Sequence, residues 1–111
     1  MSFCHNKHYE REYATLMCRE GYHCERVAGS GSAKEAVCDC VLFRDGKSFL
    51  VEVKATKDKT FYVRTHVRKQ LEIMKNIARK QGISSLLAVK FKRRGWKQLD
   101  ITEKIPEVVR C

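Results

Sequence analysis

The sequence predicts an α/β fold, a small mixed central β-sheet flanked by helices, from three observations. Residues 7–20 and 65–81 carry apolar residues at helical spacing. Around them lie short runs rich in β-branched and aromatic residues, the signature of strands. Two of these runs, Val37–Phe43 and Lys47–Lys54, flank Asp45-Gly46, a two-residue hairpin signal. The order is helix, three strands, a further short extended piece, a second helix that crosses over, and two final strands. With 111 residues the chain reads as one domain, residues 1–111.

In the first helix Tyr9, Tyr13, Leu16 and Met17 follow the i, i+4, i+7, i+8 pattern, and Gly21 ends it. Glu10 and Glu12 fall on opposite shoulders of that apolar face, so only one of them leans over a given side of a sheet. By itself Glu10 reads as an ordinary first-turn acid favoured by the helix dipole. Tyr22–Val27 is a short strand with Tyr22, Cys24 and Arg26 on one face. Residues 28–35, AGSGSAKE, have the composition of a connector. They lead into the strand bearing Asp39, so a loop whose backbone and hydroxyls meet a phosphate is the second reading. No GKS or GKT follows, which excludes a P-loop.

The two-residue turn sets the hairpin register: Phe43 faces Ser48, Val41 faces Leu50 and Asp39 faces Glu52. Lys54 then shares a face with both carboxylates. The other face carries Cys38, Cys40, Leu42, Phe49, Val51 and Val53, and its apolar character predicts burial. Opposed carboxylates with Cβ atoms about 4.5–5.5 Å apart repel unless a positive group lies between them. A hard divalent cation such as Mg²⁺ suits oxygen ligands of this kind; a surface pair answered by Lys54 alone is the plain alternative.

Phe61–Val63 reads as extended. In residues 65–81, Val67, Leu71, Met74 and Ala78 form a stripe, and Ile73 and Ile77 widen the apolar arc to about 160°, beyond the ~100° a core-facing helix needs. Such an arc fits either a deep groove or two contacts, one to the sheet and one to a second subunit. Gly82 ends the helix, Ser84–Phe91 is a buried strand and Trp96–Ile101 a returning one. The turn between them, Lys92-Arg93-Arg94-Gly95, joins Lys90 and Lys97 to put five cations into residues 90–97. That is a solvated tip or a holder of several phosphates. The tail, residues 102–111, is expected to form one helical turn before Pro106 and more after it.

A net charge of +10 points to a polyanionic partner, most commonly nucleic acid. No apolar run approaches the roughly 18–20 residues of a membrane span, and the first residues lack the apolar core of a signal peptide. No membrane partner is therefore expected, and a cytoplasmic location is. Six cysteines raise the question of zinc, but Cys38-x-Cys40 is too tight for the usual pair, Cys18 and Cys24 are poorly spaced, and Cys4-xxx-His8, with His5 and His23 nearby, finds no second clean pair. The sequence predicts no zinc and mostly buried, apolar roles for the cysteines.

Glu10, Asp39 and Glu52-Val53-Lys54 together resemble the PD-(D/E)xK nuclease superfamily. The likeness is closer still to the archaeal Holliday junction resolvases. It rests on Tyr9-Glu10-Arg11-Glu12, Arg26-Val27-Ala28-Gly29-Ser30-Gly31-Ser32, Val51–Lys54, Phe61-Tyr62-Val63, Leu87–Phe91 and Gly95-Trp96, across residues 7–101. Cys38 stands where the superfamily often has proline, which touches the strand entry and not the chemistry. The resemblance implies a restriction-endonuclease-like core in which Asp39, Glu52 and the Val53 carbonyl bind Mg²⁺, with Mn²⁺ as a substitute, and Glu10 completes the acidic set. Lys54 would orient or activate the attacking water or stabilise the transition state. Ser30 matches a loop serine associated with catalysis, and Arg11 and Arg26 match basic positions near the DNA. We expect Ser30, Ser32, Arg93 and Arg94 to contact DNA as well. The expected enzyme is a homodimer that nicks opposite strands of a four-way DNA junction in recombination and repair. Its alternatives are another nuclease of the superfamily and a non-catalytic basic nucleic-acid-binding module. No base-reading helix stands out to favour the first, and a pure binder gains nothing from opposed carboxylates in a basic cleft.

Overall fold

Asp45 and Gly46 both adopt positive φ, 51° and 78°, the geometry of the tight turn their sequence demands. That turn joins β2 (Cys40–Arg44) to β3 (Lys47–Thr56) in the register expected, with Phe43 opposite Ser48 and Val41 opposite Leu50. In this computed structural model residues 2–27 and 36–111 are described, with side chains from Lys7 onward. The remaining elements are α1 (Ser2–Arg19), β1 (His23–Arg26), β4 (Thr60–Tyr62), α2 (Thr65–Lys80), β5 (Ser84–Phe91), β6 (Gly95–Asp100) and β7 (Val108–Arg110).

The main sheet has the order β1-β2-β3-β5-β6. β3 and β5 run parallel, joined by the crossover through α2, and their neighbours are antiparallel. Side-chain alternation divides the core into two layers. On one face Tyr13 and Met17 of α1 pack with Cys40, Leu42, Val51, Val53, Leu86 and Ala88. On the other, Leu71 and Met74 of α2 pack with Leu87, Val89, Phe91 and Ile101. The predicted helix faces therefore hold: Tyr13, Met17, Leu71, Met74 and Ala78 are buried, and Tyr9, Leu16 and Val67 partly so.

Four expectations need correction. α1 begins at Ser2 and not at residue 7, because apolar periodicity starts only at Tyr9 and gives no sign of the turns before it. β2 begins at Cys40 and not at Val37. The tail is not helical: β7 pairs antiparallel with β4, Phe61 opposite Val109, as a separate two-stranded sheet. The β-branched Val108 and Val109 find a partner strand there, and Ile105 and Val109 are buried in the α2 layer. The Val63 N–H donates to the Glu107 carbonyl, the Arg68 Nη2 to the Pro106 carbonyl and the Lys75 Nζ to the Glu103 carbonyl, which straps residues 103–110 over α2. Finally, Cys38 and Cys40 are buried but Cys24 is half-buried and Cys18 and Cys111 are exposed, so burial is not the rule for the described cysteines. The Cys111 N–H donates to the Lys59 carbonyl.

Candidate active site

The site forms where the β2–β3 ladder breaks. Regular pairing stops at Cys40 opposite Val51. One residue earlier, Asp39 does not continue the ladder opposite Glu52 as its numbering predicts; its N–H donates instead to the Val51 carbonyl (2.9 Å). Its side chain turns back along the same edge, and Oδ2 accepts the Val53 N–H at 2.7 Å. A carboxylate here satisfies a backbone donor that β2 no longer reaches, and the charge strengthens the bond. The break also changes which face the preceding residue meets. Cys38 lies in the α2 layer, whereas Cys40 lies in the α1 layer, so the six apolar residues predicted to share one face do not.

Glu52, a buried residue of β3, sits with its Oε2 3.3 Å from the Lys54 Nζ. Glu10 comes from α1. It lies near enough to Asp39 to feel that residue's charge, and its Oε1 lies 3.5 Å from Arg26 Nη2 of β1. Glu10 of α1 and Glu52 of β3 thus both lie within reach of the charge of Asp39, which stands just before β2. Burial, then the charge of Asp39, pushes Glu10 up to about 7 against the pull of Arg26. Burial and Asp39 likewise push Glu52 up to about 7, opposed by Lys54. Carboxylates resist ionising side by side in a dry place, so the arrangement invites a cation.

The residues present fit such an ion. Among the described residues, no three His, Cys, Asp or Glu side chains form an all-protein cage. Mg²⁺ characteristically binds through one or two carboxylates together with substrate phosphate oxygens and water, and needs no cage. A residue in a strand directs its N–H and its C=O to the same neighbour. The Val53 carbonyl therefore faces the same edge as its N–H, beside Asp39, as a further oxygen donor.

Glu12 goes elsewhere, as its position on the opposite shoulder requires: Oε2 accepts from the Lys90 Nζ of β5 at 3.1 Å. The Lys90 ammonium lies 5.7 Å from the centre of the Trp96 ring.

A basic cavity of about 560 Å³ is lined by Lys57, Lys92, Arg93 and Arg94. The parallel register of β3 and β5 builds it. Thr56 is opposite Phe91, and the Lys92 N–H donates to the Thr56 carbonyl (2.9 Å), so the loop after β3 and the turn after β5 leave the sheet together. The Lys92 ammonium lies 6.0 Å from the centre of the Tyr9 ring, so the turn after β5 reaches α1. The sequence named Lys92, Arg93 and Arg94 within the basic turn; it missed Lys57, whose proximity to them depends on the strand pairing.

Arg11 is exposed on α1, next in sequence to Glu10. Ser30 and Ser32 lie outside the described residues. Gln70 of α2 was missed altogether: its Oε1 accepts a hydrogen bond from the Lys54 Nζ at 3.1 Å. A signal for it existed, because Gln70 is a polar residue inside the apolar arc of α2.

In comparison with known proteins, residues 3–109 match the family model of archaeal Holliday junction resolvases (Hjc). The chain is also similar to a solved structure, the Holliday junction resolvase Hjc of the archaeal hyperthermophile Archaeoglobus fulgidus. The two are 23% identical, the match covers 94% of this chain and 87% of that one, and the TM-score is 0.73. At this identity the structural likeness establishes the shared fold.

Proposed function

The chain belongs to the archaeal Holliday junction resolvase family and is a junction-resolving nuclease, and we propose that it cuts by Mg²⁺-dependent hydrolysis at the site of Glu10, Asp39, Glu52 and Lys54. The observation that carries this is the meeting of these groups at the break in the β2–β3 ladder. Asp39, Glu52, Glu10 and the Val53 carbonyl would hold the cation, with Mn²⁺ able to replace Mg²⁺. When bound, the ion acts as a Lewis acid toward phosphoryl oxygen and makes water a nucleophile at neutral pH.

The chain's own groups supply the rest. The Val53 N–H fixes Asp39 in one orientation. Arg26 restrains Glu10 and offers a cation beside the acids. Lys54 presents an ammonium in a largely buried position, where positive charge counts most against charge that develops on the phosphate. Ser30 and Ser32 would meet the DNA backbone from the loop before Asp39, and Arg11 from the exposed face of α1. The proposal includes a single nuclease domain over residues 1–111 and a homodimer whose two sites nick opposite strands. It also includes a cytoplasmic location, which rests on DNA as the substrate. No helix among the described residues is long and apolar enough to cross a membrane.

The test compares a four-way junction with linear duplex and single-stranded DNA, each with and without Mg²⁺. Nicking confined to the junction and dependent on the ion is the expected result. Equal cutting of linear duplex would assign the chain to another branch of nuclease activity, and binding without cutting would make it a non-catalytic module.

The basic cavity carries a separate expectation. Arg93→Ala should raise the junction Kd and reduce the slope of log affinity against log salt by about one, the change for one lost phosphate contact. Single-turnover cleavage at saturating protein should persist. Binding isotherms between low and physiological salt check this, and an unchanged slope would remove Arg93 from the interface.

A further inference from the structure

We propose that Gln70 is a positioning residue for the cleavage reaction, holding the ammonium of Lys54 in place. The inference rests on the assignment of Lys54 to catalysis and adds a residue to it.

Lysine is a point charge on a flexible four-carbon stem, with substantial rotamer freedom and three N–H donors. Two of those donors have partners here: Glu52 Oε2 at 3.3 Å and Gln70 Oε1 at 3.1 Å. Glu52 alone is a poor anchor for a catalytic cation, because it lies on the same strand two residues away and is itself proposed to hold the metal. Gln70 reaches Lys54 from a different element. α2 is fastened to the sheet by Leu71, Met74 and Ala78, all fully buried or nearly so, and Leu71 is adjacent to Gln70. The acceptor therefore stands on a rigid support.

The chemistry of the acceptor matters as well. A glutamine carbonyl takes an N–H without cancelling the lysine charge, whereas a carboxylate there would add a fourth acid to Glu10, Asp39 and Glu52. The third donor of Lys54 remains for an anion.

Gln70 sits at the solvent-exposed side of the apolar arc of its helix. At 100° per residue it lies about 20° from Ile77 and about 40° from Met74 around the axis, within the apolar arc. Gln70 is exposed, as is its neighbour Ile77, so its polarity alone requires no partner; what singles it out is that its amide oxygen is turned onto Lys54 at 3.1 Å.

Gln70→Met keeps the length and approximate shape of the side chain and removes the acceptor. We expect single-turnover cleavage of a four-way junction at saturating protein to fall about 10–100-fold, the range for loss of a group that orients a catalytic one. The junction Kd should change less than about twofold. In NMR spectra of the whole protein, the two ε-methylene protons of Lys54 should be distinct in the wild type and collapse to one averaged signal in the variant. A wild-type rate in Gln70→Met would overturn the proposal. So would a loss that tracks a weaker Kd, which would make Gln70 a DNA contact, or a slower rate with unaltered Lys54 signals. Lys54→Met serves as the control: if it cleaves at the wild-type rate, the catalytic assignment of Lys54 fails. If it is inactive while Gln70→Met is unimpaired, only the role of Gln70 falls.

Discussion

Asp39→Asn should abolish Mg²⁺-dependent nicking of four-way junctions while junction affinity holds or rises. The substitution is nearly isosteric and retains a side-chain oxygen to accept the Val53 N–H, so the local backbone should stay as it is. What it removes is one negative charge from beside Glu10 and Glu52, which burial and the charge of Asp39 have already made reluctant to ionise. The proposed cation loses its best-oriented carboxylate, and cleavage should fall by at least about 10²–10³-fold, the loss typical when one preorganised electrostatic group is deleted from an active site. Binding moves the other way, because a charge that repels phosphate has gone and the cations of the basic cavity are untouched. Single-turnover rates and a parallel gel-shift titration decide the matter. If Asp39→Asn cut junctions at the wild-type rate, the acidic site would be misassigned.

The double variant Ile73→Asp with Ile77→Asp should be monomeric and should lose paired incision. In one chain these isoleucines are 57% and 38% exposed on a helix whose Leu71, Met74 and Ala78 are buried and whose Val67 is partly so. A two-fold dimer would use both from each protomer, and covering them yields about 1.5–3 kcal/mol for each side chain fully buried. Four buried isoleucines replaced by aspartates, which also repel across the axis, should weaken the dimer at least about 10³-fold. The monomer fold should survive because both positions face outward in it. Light scattering at micromolar concentration reads the mass. Junctions on a supercoiled plasmid read the cutting, with nicked circles accumulating at the expense of linear product. A monomeric wild type would sink the proposal outright.

What could be read from the sequence was set by local rules. The Asp45-Gly46 turn fixes its own register, so every pair from Cys40–Val51 to Arg44–Lys47 follows from it. The two helical faces follow from periodicity, and so does the separation of Glu10 from Glu12, which lead to Asp39 and to Lys90 respectively. Local rules fail where a competing long-range partner decides. At Asp39 a side chain takes a backbone N–H that the ladder would have used, and no count along the strand anticipates this. Val108–Arg110 becomes a strand because β4 offers an edge fifty positions away, not because three residues prefer to be extended. Lys57 meets Lys92 through the parallel pairing of β3 with β5, a register that the hairpin does not determine. Gln70 is the exception, since a polar residue in an apolar arc was visible all along.

The strap of residues 103–110 over α2 has a consequence in time. Arg68 and Pro106, which it joins, are 38 residues apart, and contacts so distant in sequence close late because the loop between them must first be ordered. During synthesis the helix that bears Gln70 therefore emerges well before the segment that clamps its outer side. Until Val108–Arg110 have left the ribosome, α2 rests on the sheet through Leu71, Met74 and Ala78 but lacks the cover of this segment. On the roles proposed for α2, in holding Lys54 and in pairing subunits, both would be complete only once this segment has been translated, so that a nascent chain would carry the acids of a nuclease before it had the means to use them.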